Sequence, residues 1–321
     1  MKIIKVTATG ETPEISALLL RQSPGGKGVW GDCRFFINQP VERCDWWVVC
    51  HYSALRDTET AYCDPDHVIY VSMEPFDSML PREFLSQFAR VVLCDRVVDH
   101  PSVLHRNGLS WWVGLNIKHA GGHTFLPECS LDYDALCNMQ GTGKSKFISV
   151  ICSNKAFMDG HRQRIGFVKK LLSHPISRHI DFYGGGFNPV LDKWDAIAPY
   201  KYHIALENSV MPDYWTEKLA DAFLGFSYPI YYGCPNIHDY FDREALRIID
   251  INDFDRSVAI LTELLEQDPY RHHLPAIVKA RQKVLDDYNL FQLMADICDG
   301  PAVRPARCQL KPWNYFRPVH G

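Results

Sequence analysis

A short segment in the second half of the sequence carries polar and charged residues in a pattern suited to binding a diphosphate. An apolar run that predicts a buried strand ends at Glu207 and Asn208, and an amphipathic helix is predicted to begin near Thr216. Lys218 falls in the first turn of that helix, where the helix dipole favours an anion over a cation. A lysine there is explained if it faces a bound phosphate. Glu217 could accept hydrogen bonds from ribose hydroxyls and Asn208 could bond a ligand from the strand end, although a role as capping and surface charges stays open for Glu217 and Lys218.

The sequence also contains clusters of residues that could bind a metal ion, but none is a convincing metal site. His272 and His273 are neighbours on a predicted helix and point to different sides, so we expect no metal site there. Two acidic pairs have the spacing of a divalent-cation site but lie in turn-like sequence, which favours solvated carboxylates: Asp64/Asp66 and Asp132/Asp134.

The elements that must position the candidate residues alternate between strand and helix patterns. In the first half, apolar runs predict strands at 3–8, 33–37, 46–50, 68–73 and 91–94. In the second half, predicted strands at 147–152, 180–183, 202–207, 229–232 and 246–251 alternate with helices at 161–173, 215–226, 257–267 and 274–298. Such alternation is typical of parallel α/β sheets, in which ligands bind beyond the carboxyl ends of the strands.

The length of 321 residues is about twice that of a typical domain and predicts two of them. A polar stretch before residue 145 predicts a linker. We therefore expect an N-terminal domain at 1–140 and a C-terminal domain at 141–300. The last 21 residues, 301–321, form a tail with four basic residues, no acidic residue and several aromatic ones. Packing of these aromatics on the body of the protein is favoured, and contact with another surface is the alternative.

The composition is that of a globular protein, with 46% hydrophobic and 22% charged residues. A formal net charge of −4 excludes the strong positive field that binds nucleic acid without sequence preference. The 11 cysteines lack zinc-ribbon spacing, and several lie within apolar runs, which favours reduced thiols. With no apolar run typical of a secretory signal or a membrane span, we expect a cytoplasmic location.

The candidate diphosphate segment resembles the donor-binding signature of the α1,3/4-fucosyltransferase family, glycosyltransferase family 10. That signature combines Tyr-Lys-Phe, Glu-Asn-Ser/Thr, Tyr-x-Thr-Glu-Lys and Pro-Ile/Val-x-x-Gly. The corresponding residues here are Tyr200-Lys201-Tyr202, Glu207-Asn208-Ser209, Tyr214-Trp215-Thr216-Glu217-Lys218 and Pro229-Ile230-Tyr231-Tyr232-Gly233. The resemblance is close over 147–255 and holds only in outline for the N-terminal half.

The resemblance implies a GT-B fold, in which two facing Rossmann-like domains enclose a cleft. The N-terminal domain would bind the acceptor and the C-terminal domain the GDP-sugar. The implied reaction is the inverting transfer of L-fucose from GDP-β-L-fucose to a hydroxyl of a galactose- or N-acetylglucosamine-type glycan, without an obligate metal or other cofactor.

The resemblance also implies which residues bind the donor. The predicted set is Arg164, Asn208, Tyr214, Glu217 and Lys218. Arg164 is included because Ser153-Asn154 followed by this arginine is similar to the family's upstream pattern. Arg162 lies close by and competes for the same role.

Inversion needs a single base, which the resemblance places at a strand end in the N-terminal domain. Glu74 follows the apolar run 68–73 and precedes Pro75, and it is the first candidate for the general base. The alternative for Glu74 is a surface charge, and Asp95, which also follows an apolar run, is the second candidate.

The sequence departs from many relatives, because it shows neither their membrane anchor nor their C-terminal repeat tail. The basic aromatic tail is the one substitute, and a peripheral membrane contact through it is the alternative to its packing on the body of the protein. The acceptor-binding half matches no known acceptor pattern; in the pairs Trp46-Trp47 and Trp111-Trp112 one tryptophan each is expected in the core. Two alternatives remain: the same scaffold with another GDP-deoxyhexose or nucleotide sugar, and a noncatalytic carbohydrate-binding relative.

Overall fold

The structure, a computed structural model, describes residues 1–9, 13–119, 123–141, 143–301 and 304–317. In chain order the strands are β1 (Lys2–Ala8), β2 (Val29–Trp30), β3 (Cys33–Ile37), β4 (Trp46–Cys50), β5 (Glu59–Cys63), β6 (Val68–Val71), β7 (Arg90–Val92), β8 (Val103–Leu104), β9 (Leu115–His119), β10 (His123–Cys129), β11 (Lys146–Ile151), β12 (Ile180–Tyr183), β13 (Tyr200–Leu206), β14 (Tyr228–Tyr232), β15 (Arg247–Ile248) and β16 (Ala306–Leu310). The α-helices are α1 (Pro13–Leu20), α2 (Arg82–Leu85), α3 (Tyr133–Asn138), α4 (Asp159–Ser173), α5 (Lys193–Ile197), α6 (Glu217–Leu224), α7 (Phe254–Gln267), α8 (Tyr270–Leu285) and α9 (Leu290–Ile297).

The chain divides into two compact units. Unit 1 comprises residues 1–110, 132–134 and 288–321, and unit 2 comprises 111–131 and 135–287. This division differs from the predicted boundaries at 140 and 300. The reason is that α9 packs its apolar face into the core of unit 1, although it follows the last helix of unit 2 by only a few residues.

Unit 1 is built on a sheet with the strand order β2-β3-β1-β4-β6-β7-β8, parallel except for β2. Apolar clusters cover both of its faces, so its central strands β4 and β6 are apolar and buried along their length. Trp46 stacks on His67, while Trp47 donates from Nε1 to Thr7 Oγ1 at 3.0 Å. Both tryptophans are buried, on opposite faces of the sheet, so the core contains both members of this pair and not only the one expected.

The described part of the C-terminal tail packs on unit 1. Strand β16 pairs antiparallel with β5, and Cys308 and Leu310 are buried. The ring of Trp313 packs edge-on against Tyr52 with centroids 5.6 Å apart, and the guanidinium of Arg317 lies over Trp313 at 4.0 Å. This is the packed extension favoured from the sequence, while its contact with a membrane remains a prediction. No helix in the described part of the chain is long and apolar enough to span a bilayer.

Unit 2 contains a parallel sheet with the strand order β12-β11-β13-β14-β15. Its central strand β13 is almost wholly buried, as its apolar sequence predicts. Because the strands are parallel, the residues that follow β11 and β13 emerge at the same edge of the sheet. Helix α4 lies between β11 and β12 in the chain, and α6 leads from the end of β13 into β14.

One predicted helix is wrong. Residues 274–298 form parts of two helices, α8 in unit 2 and α9 in unit 1, rather than one. The helices are separated by a turn that ends at Asn289, whose side chain accepts a hydrogen bond from Phe291 N at 2.9 Å and so caps α9. The apolar periodicity continues through this turn and hides it.

Candidate active site

Glu207 anchors the loop that follows β13. Its side chain is fully buried, and its backbone N–H donates to Tyr232 O at 2.8 Å, which continues the ladder between β13 and β14. The carboxylate accepts from Thr216 N at 2.8 Å and from Thr216 Oγ1 at 3.0 and 2.8 Å. A Cβ at Gly233 would lie 2.4 Å from Glu207 Cγ, which explains the glycine of the Pro-Ile-Tyr-Tyr-Gly motif. These contacts fix the start of α6 against the end of β13.

Lys218 lies in the first turn of α6. Thr216 is the N-cap of this helix, and its Oγ1 accepts from Lys218 N at 3.4 Å. The ammonium of Lys218 lies 3.0 Å from Thr216 Oγ1, 3.3 Å from Glu217 Oε1 and 3.4 Å from Glu207 Oε2. Burial disfavours the charged form, but Glu217 and Glu207 outweigh burial and raise the pKa of Lys218. Lys218 is therefore a fixed cation at neutral pH.

Glu217 lies between two lysines. Its Oε1 is 3.3 Å from Lys218 Nζ and 3.4 Å from Nζ of Lys193, the first residue of α5. Burial alone would raise the pKa of Glu217, but Lys218 and Lys193 outweigh burial and lower it below the ordinary glutamate value. The side chain retains 23% exposure, so an ionised carboxylate faces the solvent at the start of α6.

Asp221 connects this cluster to the first residues of unit 2. Its buried carboxylate is 3.0 Å from Lys193 Nζ and accepts from the backbone N–H groups of Trp112 at 2.8 Å and Val113 at 3.2 Å. A second aspartate, Asp192, caps α5 by accepting from Trp194 N at 2.8 Å. The position of Lys193 is therefore set by α5 and by α6 together.

Arg164 reaches the same edge of the sheet from α4. The residue is buried, and its Nη2 donates to Oγ of Ser153, which follows β11, at 3.1 Å. Its Nε is buried without a hydrogen-bond partner among the described residues. Arg164 is close enough to Lys218 that its charge opposes protonation of the lysine. Arg162, by contrast, is mostly exposed and pairs with Asp159 in its own helix.

Asn208 and Ser209 present buried polar atoms at the end of β13. Asn208 Nδ2 lies 3.2 Å from His161 Nε2, while Asn208 Oδ1 and Ser209 Oγ are buried with no hydrogen-bond partner among the described residues. The first turn of α4 can approach this loop because Gly160 has no side chain; a Cβ there would lie 2.0 Å from Asn208 O. A buried polar atom without a partner costs about 1–3 kcal/mol, so a ligand that bonds these atoms would gain affinity.

The loop between Asn208 and α6 is braced from both sides. Asp213 has a left-handed backbone (φ 65°), and its Oδ1 accepts from Asn236 Nδ2 and from Tyr240 OH, both at 2.8 Å. Tyr214 is buried, with 3% exposure, and the ring of Trp215 packs edge-on against Phe241. The loop is therefore fixed before any ligand binds.

In unit 1, Glu74 follows β6 with an exposed side chain. Ser72 Oγ accepts from Glu74 N at 3.1 Å and donates to Glu74 O at 3.0 Å, which fixes the backbone of the turn. Glu74 Oε1 lies 3.5 Å from His51 Nε2. His51 Nδ1 accepts from Ser53 N at 3.2 Å, so the ring proton of a neutral His51 lies on Nε2 and faces Glu74.

Two further carboxylates lie near the same strand end. Asp95 is buried and accepts from Ser78 N at 2.8 Å and Val97 N at 3.0 Å, so both of its oxygens bond backbone groups. Asp77 is also buried and accepts from Tyr70 OH at 2.9 Å, and burial raises the pKa of Asp77 to about 6. Asp95 is thus held in a structural role, and Glu74 is the carboxylate of this group that is open to solvent.

The region that contains the charged cluster of unit 2 matches a known family. Residues 142–274 match the family model described as "Glycosyltransferase family 10 (fucosyltransferase) C-term". This part of the chain is therefore similar to the C-terminal domain of glycosyltransferase family 10. The match covers α4 and the segment from β13 to β14, and these contain every residue predicted to bind the donor.

Curated members and relatives of this family match over part of their length. Alpha-(1,3)-fucosyltransferase B of Drosophila melanogaster is 29% identical over 141 residues, which are 38% of this chain and 31% of the relative. Alpha-(1,3)-fucosyltransferase FucT of Helicobacter pylori is 31% identical over 74 residues, 23% of this chain and 15% of the relative. The aligned parts therefore span less than a third of these relatives.

A solved structure supports the fold over nearly the whole chain. The "Crystal Structure of alpha1,3-Fucosyltransferase with GDP-fucose" matches with a TM-score of 0.51 and 17% identity, covering 94% of this chain and 91% of that one. Together with the two parallel sheets, this match confirms the predicted α/β fold class, the GT-B class of Rossmann-like units.

Most of the predicted donor-binding residues in the matched region lie at one edge of the unit 2 sheet. Lys218 and Glu217 are in direct contact. Arg164 donates a hydrogen bond to Ser153, which follows β11, and Asn208 follows β13. Tyr214 belongs to the same loop but is buried. Their contact with a donor stays a prediction.

The Tyr-Lys-Tyr part of the family motif lies away from this edge. Tyr200 OH donates to Asp181 at 2.5 Å, Tyr202 OH donates to Asp268 at 3.1 Å, and Lys201 also pairs with Asp268. These bonds hold the amino end of β13, so this part of the motif stabilises the fold.

Residues that were not predicted from the sequence as site residues contact Glu217 and Lys218. The partners of Glu217 and Lys218 include Lys193, Thr216 and the buried carboxylate of Glu207. The Glu-Asn-Ser and Thr-Glu-Lys motifs contained a signal for Glu207 and Thr216, because both fall within the matched signature. The sequence around Lys193 contained no such signal.

Proposed function

We propose that this chain transfers L-fucose from GDP-β-L-fucose to a hydroxyl of a galactose- or N-acetylglucosamine-type glycan, with inversion at the anomeric carbon. The observation that carries the proposal is the placement of two cations, Arg164 and Lys218, beside ionised Glu217 at the carboxyl end of the unit 2 sheet. The similarity of residues 142–274 to the family 10 model and the names of the relatives support fucose as the transferred sugar.

In this proposal the two cations bind the diphosphate of the donor. Arg164 has a buried Nε that needs an acceptor, and Lys218 offers a charged ammonium in the first turn of α6. As the bond to fucose breaks, negative charge grows on the diphosphate, and fixed positive charges stabilise that state more than the ground state. We therefore propose that transfer needs no obligate metal; chelation with EDTA should leave the initial rate within about twofold.

Glu217 and Asn208 would orient the rest of the donor. An ionised carboxylate accepts hydrogen bonds and does not donate them, so Glu217 suits the hydroxyls of a ribose or of fucose. Asn208 Oδ1 and Ser209 Oγ lack partners in the described structure and would bond other polar groups of the donor. Tyr214 would contribute by fixing the loop.

Glu74 would act as the general base. It would take the proton of the acceptor hydroxyl while that oxygen attacks the anomeric carbon from the side opposite the diphosphate, so that one displacement inverts the configuration. The exposed carboxylate after β6 supports this role, and His51 would orient it through the contact at 3.5 Å. Asp95 is a poor base because its oxygens accept two backbone hydrogen bonds.

The test is a donor screen followed by a transfer assay. In a thermal-shift experiment GDP-fucose and GDP should raise the Tm, and GDP-mannose, UDP-galactose and dTDP-rhamnose should raise it less. With GDP-[14C]fucose and N-acetyllactosamine, labelled trisaccharide should form with the fucose α-linked. If another nucleotide sugar raised the Tm more and its sugar were transferred, that nucleotide sugar, and not GDP-fucose, would be the donor. Donor binding without transfer to any acceptor tried would contradict the catalytic proposal and favour a carbohydrate-binding role.

A further inference from the structure

Three side chains that the proposed site does not use meet at the other end of the unit 2 sheet. His272 and His273 lie in the first turn of α8, and Glu244 lies in the short 3-10 turn Arg243–Ala245. Glu244 Oε2 is 3.1 Å from His273 Nδ1 and 3.8 Å from His272 Nε2, and one ligand atom from each of the three side chains lies within 4.8 Å of the others.

Adjacent histidines on a helix are expected to diverge, and here they converge. His272 reaches Glu244 with its distal nitrogen, Nε2, while His273 uses its proximal nitrogen, Nδ1. The two rings therefore lie at different depths, with centroids 5.2 Å apart and planes at 74°. The difference in reach compensates for the difference in direction, so both rings approach one carboxylate.

Two of the three separations are close to those between the ligands of a metal ion. With Zn–N and Zn–O bonds of about 2.0–2.1 Å, neighbouring ligands of a tetrahedral zinc lie about 3.3 Å apart. The two separations from Glu244 lie on either side of that value. Imidazole nitrogens with one carboxylate oxygen are a donor set that zinc accepts, with a fourth position for water.

One ligand of the three is already held in place. The ring of His273 stacks on Tyr228, the first residue of β14, with centroids 4.5 Å apart and planes at 24°. His273 is 16% exposed, and its Nδ1 is buried without a hydrogen-bond partner among the described residues, whereas His272 and Glu244 are exposed and can adjust around an ion. A fixed ligand with two mobile ones can close on a metal without a change in the fold.

We propose that Glu244, His272 and His273 bind one Zn²⁺ ion per chain. The ion would join the turn Arg243–Ala245 to the start of α8 and so stabilise unit 2 at the amino end of β14. Glu207 and the charged cluster lie beyond the carboxyl ends of the strands, so this site is separate from the proposed catalytic site and does not depend on the proposed function.

The experiment is a calorimetric titration of the full chain with ZnCl₂ at pH 7.5 in the presence of TCEP. We expect one site per chain, weakened at least tenfold in His272→Ala and in Glu244→Gln. Both side chains are exposed, so neither substitution should unfold the protein. His179→Ala, which removes another exposed histidine of unit 2, is the control and should bind as the wild type does. Zinc should also raise the Tm of the wild type but not of Glu244→Gln, and it should not alter GDP affinity.

Two further readouts identify the ligands. Co²⁺ bound at this site should show the visible absorption of four-coordinate cobalt without thiolate charge-transfer bands, and its affinity should fall by roughly tenfold or more between pH 7.5 and 5.5, because imidazole binds metals only when unprotonated. Absence of zinc binding, affinity that both variants retain, or thiolate bands that place the metal at cysteines would each overturn the proposal.

Discussion

The ammonium of Lys218 lies 3.4 Å from Oε2 of Glu207, a carboxylate that solvent does not reach. Burial alone raises the pKa of Glu207, and the lysine opposes this rise. The relationship is reciprocal, since Glu207 helps to raise the pKa of Lys218. A cation at the start of α6, against the preference of the helix dipole, is thus held in place by a buried acid before any phosphate arrives.

Removal of this cation should affect both binding and stability. We expect Lys218→Ala to weaken GDP binding by about tenfold or more, which corresponds to at least ~1.4 kcal/mol. It should also lower the free energy of unfolding by about 3 kcal/mol, because it leaves Glu207 buried without its counter-charge. Lys170→Ala, in α4, is the control and should change neither quantity. Wild-type affinity in Lys218→Ala would show that the diphosphate binds elsewhere.

The contribution of the N-cap hydroxyl of α6 to the free energy of unfolding should be measurable by itself. Thr216→Ala removes both the cap of Lys218 N and the hydrogen bonds from Oγ1 to Glu207, so we expect a loss of about 1–2 kcal/mol in the free energy of unfolding. Thr216→Ser keeps the hydroxyl and should retain most of that stability in urea denaturation. Equal losses in the two variants would indicate that packing of the methyl group, rather than the hydroxyl, is responsible.

Glu217 should contribute stability that depends on pH. Its pKa in the folded protein lies below the unfolded value of about 4.3, because Lys218 and Lys193 outweigh burial. The contribution is therefore complete above about pH 4.3 and is lost as the pH falls through the folded pKa. In urea denaturation, we expect the free energy of unfolding of the wild type to exceed that of Glu217→Gln by roughly 2 kcal/mol at pH 6–8. The difference should be smaller below pH 4. A difference that stays constant down to pH 3 would contradict the ion-pair assignment.

Substitutions of Glu74 and His51 should reduce catalysis without weakening donor binding. Glu74→Gln should reduce kcat by at least ~100-fold while GDP affinity stays within about twofold, because the proton of the acceptor is no longer taken. His51→Asn should lower kcat by a smaller factor, about tenfold, since it removes the contact that orients Glu74. Transfer at the wild-type rate in Glu74→Gln would exclude Glu74 as the base.

Local patterns made much of the fold and site predictable. The periodicity of α6, its threonine cap and the strand before it all lie within Tyr200–Leu224, so their spacing alone places Glu217 and Lys218 in the first turn. The strands of both sheets follow from apolar runs, and parallel order follows from their alternation with helices.

The remaining features depend on contacts between distant parts of the chain. Lys193 joins the site through a partner 24 residues later, and Asp221 bonds Trp112, 109 residues before it. The return of α9 and β16 to unit 1 likewise has no local signal, because an apolar helix face does not specify which core it joins. The convergence of His272 and His273 on Glu244 depends on side-chain reach, which helical spacing does not record.

The most direct test of the donor-site assignment is a crystal structure of this chain with GDP-fucose. We expect diphosphate oxygens within hydrogen-bonding distance of both Arg164 and Lys218, with Glu217 bonded to hydroxyls of the same donor. A diphosphate bound in the crystal that contacts neither Arg164 nor Lys218 would contradict it.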